Sequence, residues 1–287
     1  MYTTAITNVR VFNGENLTEP KTIVIENGVI SEKTTGDITV DGSGCTLLPG
    51  LIDSHIHLDD IDNLKQAAKY GVTTMLDMTT SSSELVDSHR NNPGLTDIKS
   101  CYLAATTPTS ALIREMKYPE STIVTGVEDA ERFVNEQVAL GADYIKVILE
   151  EQNGLSPEII AALVKASHKN NKLVFAHTVS LSTYKIAIET GVDVLNHIPM
   201  ALPLPDSIID EVVAKGSYVV PTMIMMKGII ENVKKMNPNA PLDFHNVEVS
   251  VGNLIKAGVT IIAGTDSNRT NKISYITTVV QCMKNLN

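Results

Sequence analysis

The sequence predicts an α/β protein, in which a small β domain precedes a (β/α)8 TIM barrel. The chain has 287 residues, a length typical of one such barrel with additions. From Gly50 onward, short apolar strands alternate with amphipathic helices. Most of the predicted strands are continuous apolar runs rather than alternating ones, as expected of parallel strands that are covered on both faces. These three observations favour the barrel.

Eight strand and helix units fill the region after Gly50. We predict strands near residues 51–57, 72–78, 98–105, 143–149, 172–177, 192–197, 217–223 and 259–265. Residues that tolerate a left-handed backbone stand between helix and strand: Gly71, Gly141, Gly191, Gly216 and Gly258, with Asn170 and Asn171 before the fifth strand. The rival fold is a doubly wound sheet, but no G-x-G-x-x-G follows the first strand.

The first 49 residues differ from the rest of the chain. Short β segments at 6–12, 21–30 and 37–42 are separated by Asn-Gly and other turn signals. They predict a small, incomplete β-sandwich layer. The stiff turn Leu48-Pro49-Gly50 then divides the chain into a β domain, residues 1–49, and the barrel, residues 50–287.

The composition excludes several classes of function. The formal net charge is −10, aromatic residues make up 4% and there is no Trp or Lys/Arg cluster, so we expect no nucleic-acid partner. The richest apolar run, residues 219–226, is far shorter than the ~20 residues of a membrane span. No signal peptide is recognisable, and Cys45, Cys101 and Cys282 are too far apart for a cysteine metal site. We therefore expect a cytoplasmic protein without a membrane partner.

Chemistry-bearing side chains stand in or just after five of the predicted strands. They are His55 and His57 in strand one, Lys146 in strand four, His177 in strand five, His197 in strand six and Asp266 after strand eight. Function lies at the carboxyl ends of the strands in such barrels, where these ends converge. Imidazole and carboxylate ligands suit Zn²⁺ and related divalent ions. The joint pattern predicts a metal site.

Each of these residues alone has an ordinary explanation. A single strand-end histidine is more often a hydrogen-bonded core residue. Lys146 has two alternatives, pointing outward between helices or inward, where its charge needs a partner or a chemical change. Asp266 has a simple alternative as a helix cap. For His89, His168 and His245 we expect surface positions without a functional role.

Five ordered motifs resemble the amidohydrolase superfamily, within its imidazolonepropionase- and prolidase-like branch. The motifs are Leu48-Pro49-Gly50-Leu51-Ile52-Asp53-Ser54-His55-Ile56-His57, Asp143-Tyr144-Ile145-Lys146-Val147, Ala176-His177-Thr178, Asn196-His197 and Ala263-Gly264-Thr265-Asp266-Ser267. The resemblance covers about residues 1 to 268. The chain stops 21 residues after Asp266, sooner than the superfamily's pattern, so we expect a barrel that is shortened at its carboxyl end.

The resemblance implies two divalent metal ions, with Zn²⁺ the expected metal. His55 and His57 would bind one ion with Asp266, and His177 and His197 the other. Lys146 would be carboxylated by CO₂, so that its carbamate bridges both ions. A bridging hydroxide would attack the substrate carbonyl, and Asp266 would pass the proton to the leaving nitrogen.

These implications predict a hydrolase that cleaves an amide-type C–N bond in a dipeptide, an N-acyl amino acid or a cyclic amide. Hydrolytic deamination, phosphotriester cleavage and lactone cleavage stay open as related reactions. The alternative function is a truncated, catalytically inactive barrel that binds a metal or ligand. We expect a small-molecule substrate, whose carboxylate Arg114 or Arg269 would bind, and the exposed β layer is compatible with a homo-oligomer.

Overall fold

A computed structural model describes residues 2–80, 82–110 and 119–267 of the chain. The chain divides into two compact units after Leu51, close to the predicted boundary at residue 49. Arg114, Arg269 and Cys282 lie outside the described residues. In the part of the chain that is described, no helix is both long and apolar enough to cross a membrane.

The first unit contains one five-stranded sheet. Its strands are β1 (Thr4–Val11), β2 (Lys21–Glu26), β3 (Val29–Ser31), β4 (Ile38–Asp41) and β5 (Thr46–Leu47). The order is β3-β2-β1-β4, and β5 pairs with the end of β1. Ala5 pairs with Val24 and both are buried. Ile38 and Val40 are exposed on the edge strand β4.

The second unit alternates strands and helices, as the sequence predicts. Its strands are β6 (Leu51–Ile56, which begins at the boundary), β7 (Val72–Asp77), β8 (Asp97–Ser100), β9 (Ala104–Ala105), β10 (Ile145–Ile148), β11 (Val174–His177), β12 (Val194–Asn196) and β13 (Tyr218–Val220). The described helices are α1 (Ile61–Lys69), α2 (Ser83–Asp87), α3 (Val127–Leu140), α4 (Pro157–Lys169), α5 (Leu181–Glu189), α6 (Asp206–Lys215), α7 (Met223–Met236) and α8 (Phe244–Lys256). A short 3-10 helix occupies Glu120–Thr122.

These strands form two sheets, one ordered β6-β7-β8 and the other β13-β12-β11-β10-β9. The pairings of β7 with β8 and of β9 to β13 with their neighbours are parallel. The five glycines predicted at helix ends have positive φ angles, and so does Asn171. The α/β class of the second unit is therefore as the sequence predicts.

Two predicted strands differ from the structure. The third is interrupted between β8 and β9, because Tyr102 has a φ of 56°, which an extended strand does not accommodate. The eighth has only an isolated bridge at Ile261, and a second bridge follows it at Ser267. Asp266, between the predicted strand and Ser267, has a positive φ. Residues 260–267 nevertheless lie between two strands. The Ile262 amide donates to the Val219 carbonyl at 2.8 Å, and the Ser54 amide donates to the Ala263 carbonyl at 2.9 Å.

Side chains on the two faces of the five-stranded sheet β13-β12-β11-β10-β9 belong to different clusters. Ile145, Val147, Val174 and Ala176 pack in a large cluster with residues of helices α3 to α8. A second, smaller cluster contains residues at the alternate positions in or next to β10 to β13, together with one residue after β7 and one after β8. Its members are Tyr144, Phe175, Val194, Val220, Met78 and Cys101. Since successive side chains of a strand point to opposite faces, Lys146 lies on the face of Tyr144, turned away from the helices.

Candidate metal centre

His55, His57 and Asp266 form the tightest group of ligand atoms. His55 lies in β6, which ends one residue before His57, and Asp266 is brought beside them because its amide donates to the His55 carbonyl at 2.7 Å. The Asp266 Oδ1 atom lies 3.6 Å from His55 Nε2 and 3.3 Å from His57 Nε2. One ligand atom from each residue lies within 4.8 Å of the others. This arrangement could hold one metal ion.

His177 and His197 lie beside this group. The ring centroids of His177 and His197 are 4.6 Å apart, and those of His197 and His55 are 4.9 Å apart. His197 Nδ1 is 3.8 Å from Asp266 Oδ2. The structure thus brings together all four histidines that the sequence singles out with Asp266.

Lys146 lies in β10, between β11 and β9 of the five-stranded sheet, and is paired in register with Phe175 and Ala104. The residue is 2% exposed, and its Nζ atom has no hydrogen-bond partner among the described residues. Burial lowers the Lys146 pKa to about 8, although Cys101 and Asp266 favour the charged form. The structure therefore places Lys146 inward, and its amine is buried without a partner.

The charges of this cluster act strongly on one another. Burial raises the pKa of Asp266, but His55 and His57 outweigh burial and hold it well below its usual range. Burial lowers the pKa of His57, but the hydrogen bond and charge of Asp266 raise it overall. Burial holds the pKa of His55 and of His197 well below the ordinary value and lowers that of His177 to about 4. Three neutral imidazoles and a carboxylate are a ligand set suited to a divalent cation.

Asp53 is a buried residue beside the cluster that the sequence reasoning did not single out. Its carboxylate accepts hydrogen bonds from the Thr265 amide at 3.0 Å and the Thr265 hydroxyl at 2.7 Å. The His55 amide donates to the same carboxylate at 3.3 Å. Asp53 therefore ties the strand that carries His55 to the segment that carries Asp266. The sequence feature that could have identified Asp53 is its position two residues before His55.

Asp77, at the end of β7, holds the chain just after His57. Its carboxylate accepts from the Leu58 amide at 2.9 Å and from the Ser100 hydroxyl. Burial raises the pKa of Asp77 to about 6, against the effect of these donors. The sequence reasoning also missed this residue, because no short motif contains both Asp77 and Leu58.

Three residues beside the cluster have a strained backbone. His197, Thr222 and Asp266 have φ angles of 74°, 41° and 56°. Positive φ is uncommon for residues other than Gly, and most costly for a β-branched residue such as Thr. Strain of this kind collects at functional sites, where the surrounding structure holds it in place.

The other histidines lie on the surface, as predicted. His168 is exposed and its Nε2 lies 2.9 Å from Asp193 Oδ2. His245 is exposed beside Glu248, and the His89 ring lies 3.0 Å from the Ser88 hydroxyl. None of these contacts involves the cluster described above.

The residues of the cluster fit a divalent metal ion. Two of their buried polar atoms indicate this. Among the described residues, His55 Nδ1 and Lys146 Nζ have no hydrogen-bond partner. Buried polar groups are normally paired, so two orphan nitrogens in one cluster indicate a group that would bind there. The grouped nitrogen and oxygen atoms of His55, His57 and Asp266 are of the type that Zn²⁺ binds.

The second unit is an α/β unit in which histidine and aspartate side chains meet at one site, and this group could hold a metal ion. Comparison with known proteins gives the family. The sequence pattern of the Amidohydrolase family matches residues 46–287. The chain belongs to the Amidohydrolase family.

One similar curated protein is an enamidase from Eubacterium barkeri, 29% identical over 228 residues. The match covers 66% of this chain and 55% of the enamidase, so this chain spans about half the length of that relative.

Solved structures share the fold. A Xaa-Pro dipeptidase with bound methionine superposes with a TM-score of 0.76 at 20% identity, covering 92% of this chain and 79% of that one. The ochratoxinase of A. niger superposes with a TM-score of 0.75 at 20% identity, covering 93% and 76%. At this level of identity, the likeness concerns the fold.

Proposed function

We propose that this chain is a metal-dependent amidohydrolase that cleaves an amide-type C–N bond. The observation that carries the proposal is the convergence of four histidines, Asp266 and a partnerless Lys146 at one site. Membership of the Amidohydrolase family and the likeness to an enamidase support the same reaction class. The substrate class we propose is a small amide: a dipeptide, an N-acyl amino acid or a cyclic amide.

We propose a (β/α)8 barrel as the scaffold, with β8 and β9 as the two parts of its third strand. Two sets of bonds support closure. The Asp143 amide donates to the Ser100 carbonyl at 2.9 Å, which links the two sheets on one side. Residues 260–267 bond to both β13 and β6 on the other side. The five-stranded sheet of the first unit supports the proposed incomplete sandwich, and the boundaries 1–49 and 50–287 remain our proposed domains.

We propose two divalent ions, with Zn²⁺ as the expected metal. His55, His57 and Asp266 would hold one, and His177 and His197 the other. When bound, such ions lower the pKa of a water molecule and polarise the substrate carbonyl. Asp266 would accept a proton from the attacking water at its carboxylate and deliver it to the leaving nitrogen as the C–N bond breaks. The proton that the water loses is the proton that the leaving nitrogen gains, so the reaction needs no second acid.

Lys146, as a carbamate, would help to hold the two ions. Its burial favours the neutral amine, whose Nζ lone pair attacks the carbon of CO₂. The Nζ–C bond forms as one C=O π bond of CO₂ opens and its electron pair moves to oxygen. Nζ gives a proton to water, so the product is a carbamate anion. This change would remove the cost of a buried, unpaired ammonium. A cytoplasmic location and a homo-oligomeric state remain predictions.

Metal content per folded chain tests the proposal first, on protein purified without chelators and measured by elemental analysis. We expect about two divalent ions per chain and hydrolysis of at least one substrate in a panel of dipeptides, N-acyl amino acids and cyclic amides. Asp266→Asn should lose at least a hundredfold in kcat. The matched control His168→Asn, which alters an exposed histidine paired with Asp193, should keep both metal and activity.

Two outcomes would contradict the proposal. If the folded protein contains no metal, the proposed metal centre does not exist. If the protein binds metal but hydrolyses no amide, it is a metal-binding protein, which is the alternative function.

A separate experiment tests the carbamate. The protein is incubated with ¹³C-labelled bicarbonate, and ¹³C NMR should show a carbamate signal that is absent in Lys146→Met.

A further inference from the structure

We propose that Thr222 is a positioning residue for His197. Its hydroxyl would hold the imidazole in the tautomer that leaves Nε2 free to bind a metal ion. The Thr222 Oγ1 atom lies 2.8 Å from His197 Nδ1, and the two residues are 0% and 2% exposed. The inference rests on the proposed function, since His197 acts as a ligand only if the metal centre exists.

The Thr222 hydroxyl does not serve the helix that it precedes. Thr222 occupies the cap position of α7, where a Thr hydroxyl usually accepts a bond from one of the first helical amides. No such bond is formed at Thr222. By contrast, the serine side chains that cap α2, α4 and α5 do accept one. The hydroxyl of Thr222 is directed to the imidazole instead.

The backbone at Thr222 is also unfavourable for threonine. Its φ and ψ angles are 41° and 43°, in the left-handed region that Gly and Asn adopt far more readily than β-branched residues. A threonine at this position is therefore unfavourable for the backbone conformation, and its side chain does not cap the helix. Such a local conflict is expected where a side chain has a functional task. The hydrogen bond to His197 is the contact that the Thr222 hydroxyl makes.

The surroundings of His197 decide the direction of this hydrogen bond. The Asp266 carboxylate lies on the same side of the ring, with Oδ2 at 3.8 Å from Nδ1. A carboxylate accepts hydrogen bonds and its negative charge favours a proton on the nearer nitrogen. Nδ1–H therefore donates to Thr222 Oγ1, and Nε2 keeps its lone pair. A partner on one ring nitrogen commonly sets the tautomer of a metal-binding histidine in this way.

Three variants of Thr222 separate the hydroxyl from the backbone. Thr222→Ser keeps the hydroxyl, Thr222→Val keeps the branched shape without it, and Thr222→Gly removes it but suits the positive φ. The control is Thr96→Val, because Thr96 is equally buried and its hydroxyl bonds only the Val72 carbonyl at the other end of the strands. Each protein is stripped of metal, and the ¹⁵N shifts of the His197 ring nitrogens report its tautomer. A His197→Gln variant assigns the signals.

We expect the wild type, Thr222→Ser and Thr96→Val to show Nδ1–H on His197. Thr222→Val and Thr222→Gly should show a mixture of tautomers. Their Zn²⁺ affinity, measured by competition with a chromophoric chelator, should fall about 10- to 100-fold, with rescue in Thr222→Ser. If Thr222→Val does not fold, Thr222→Gly still gives the comparison, because Gly accommodates the left-handed backbone.

Unchanged tautomer and affinity in Thr222→Val and Thr222→Gly would overturn the inference. An equal loss in Thr96→Val would also overturn it, since the effect would then be a general loss of packing. If the wild type binds no Zn²⁺ but the His197 tautomer changes in the two variants, the proposed function fails and the positioning role is supported.

Discussion

Lys146 and Asp77 are both buried ionisable residues, but their surroundings differ. Asp77 is 0% exposed and accepts bonds from the Leu58 amide and the Ser100 hydroxyl. Lys146 is 2% exposed and its Nζ has no hydrogen-bond partner. A satisfied buried group stabilises its neighbourhood, whereas an orphan is costly. We therefore expect a structural role for Asp77, and the orphan amine supports the role that we propose for Lys146.

Asp77 should make the stability of the metal-free protein depend on pH. Burial raises its pKa to about 6, whereas an unfolded Asp titrates near 3.9. Between these values the folded protein keeps a proton that the unfolded chain releases, so the free energy of unfolding falls as pH rises. Asp77→Asn should remove a decrease on the order of 2 kcal/mol between about pH 4 and pH 7.

Urea unfolding at several pH values, in the presence of a chelator, measures this effect. Burial lowers the pKa of His55, His177 and His197, and they change stability in the opposite direction over an overlapping range. The quantity to compare is therefore the difference between wild type and variant. Asp53, whose pKa burial also raises to about 6, stays in both proteins. An equal pH slope in the two would show that Asp77 is already ionised when folded.

At the scale of elements, the site depends on how closely residues 260–267 approach β6. Gly264 permits this approach. A Cβ atom at Gly264 would collide with the Val220 side chain and would lie 2.9 Å from the His55 Cβ atom. Neither neighbour is the end of a long flexible side chain, so the segment itself would have to move, and Asp266 with it.

Gly264→Ala should therefore destabilise the protein by about 1–3 kcal/mol, as overpacking does, and should lower its metal content. The matched control is Gly252→Ala, in the interior of α8, where an added Cβ has nothing within 4 Å. That substitution should stabilise the protein by about 0.5–1 kcal/mol, because Ala loses less entropy in a helix than Gly. Urea unfolding and elemental analysis measure both. Equal stability of the two variants would contradict the close approach.

At the scale of the molecule, a bound metal would join elements that are far apart in sequence. The candidate ligands come from β6, β10, β11, the end of β12 and the segment after α8. An ion that binds only the folded state stabilises it by mass action, by about 2.7 kcal/mol at a hundred times its dissociation constant.

We expect the unfolding midpoint of chelator-treated protein to rise when Zn²⁺ is added, and to keep rising with Zn²⁺ concentration. Differential scanning calorimetry measures the shift, and His168→Asn should show the same shift as the wild type. A midpoint that is independent of Zn²⁺ would show that the folded state holds no such ion.

Much of the second unit could be predicted from local patterns. Continuous apolar strands and left-handed residues at helix ends, such as Gly141 and Asn171, depend on neighbours a few positions away. The strand-end positions of His55, His177 and His197 followed from the same alternation. The break at Tyr102 could not be predicted, because the residue is apolar and its positive φ leaves no sign in the sequence.

The sequence by itself determined the α/β class, the family and the identity of the candidate ligands, because these depend on residue type and short-range spacing. Only the tertiary structure decided between the two orientations of Lys146, through the packing of Tyr144 and Phe175 on the same face. It also revealed Asp53 with Thr265, which are 212 positions apart, and Thr222 with His197. Such pairs are invisible to local patterns, since their contact exists only once the strands lie side by side.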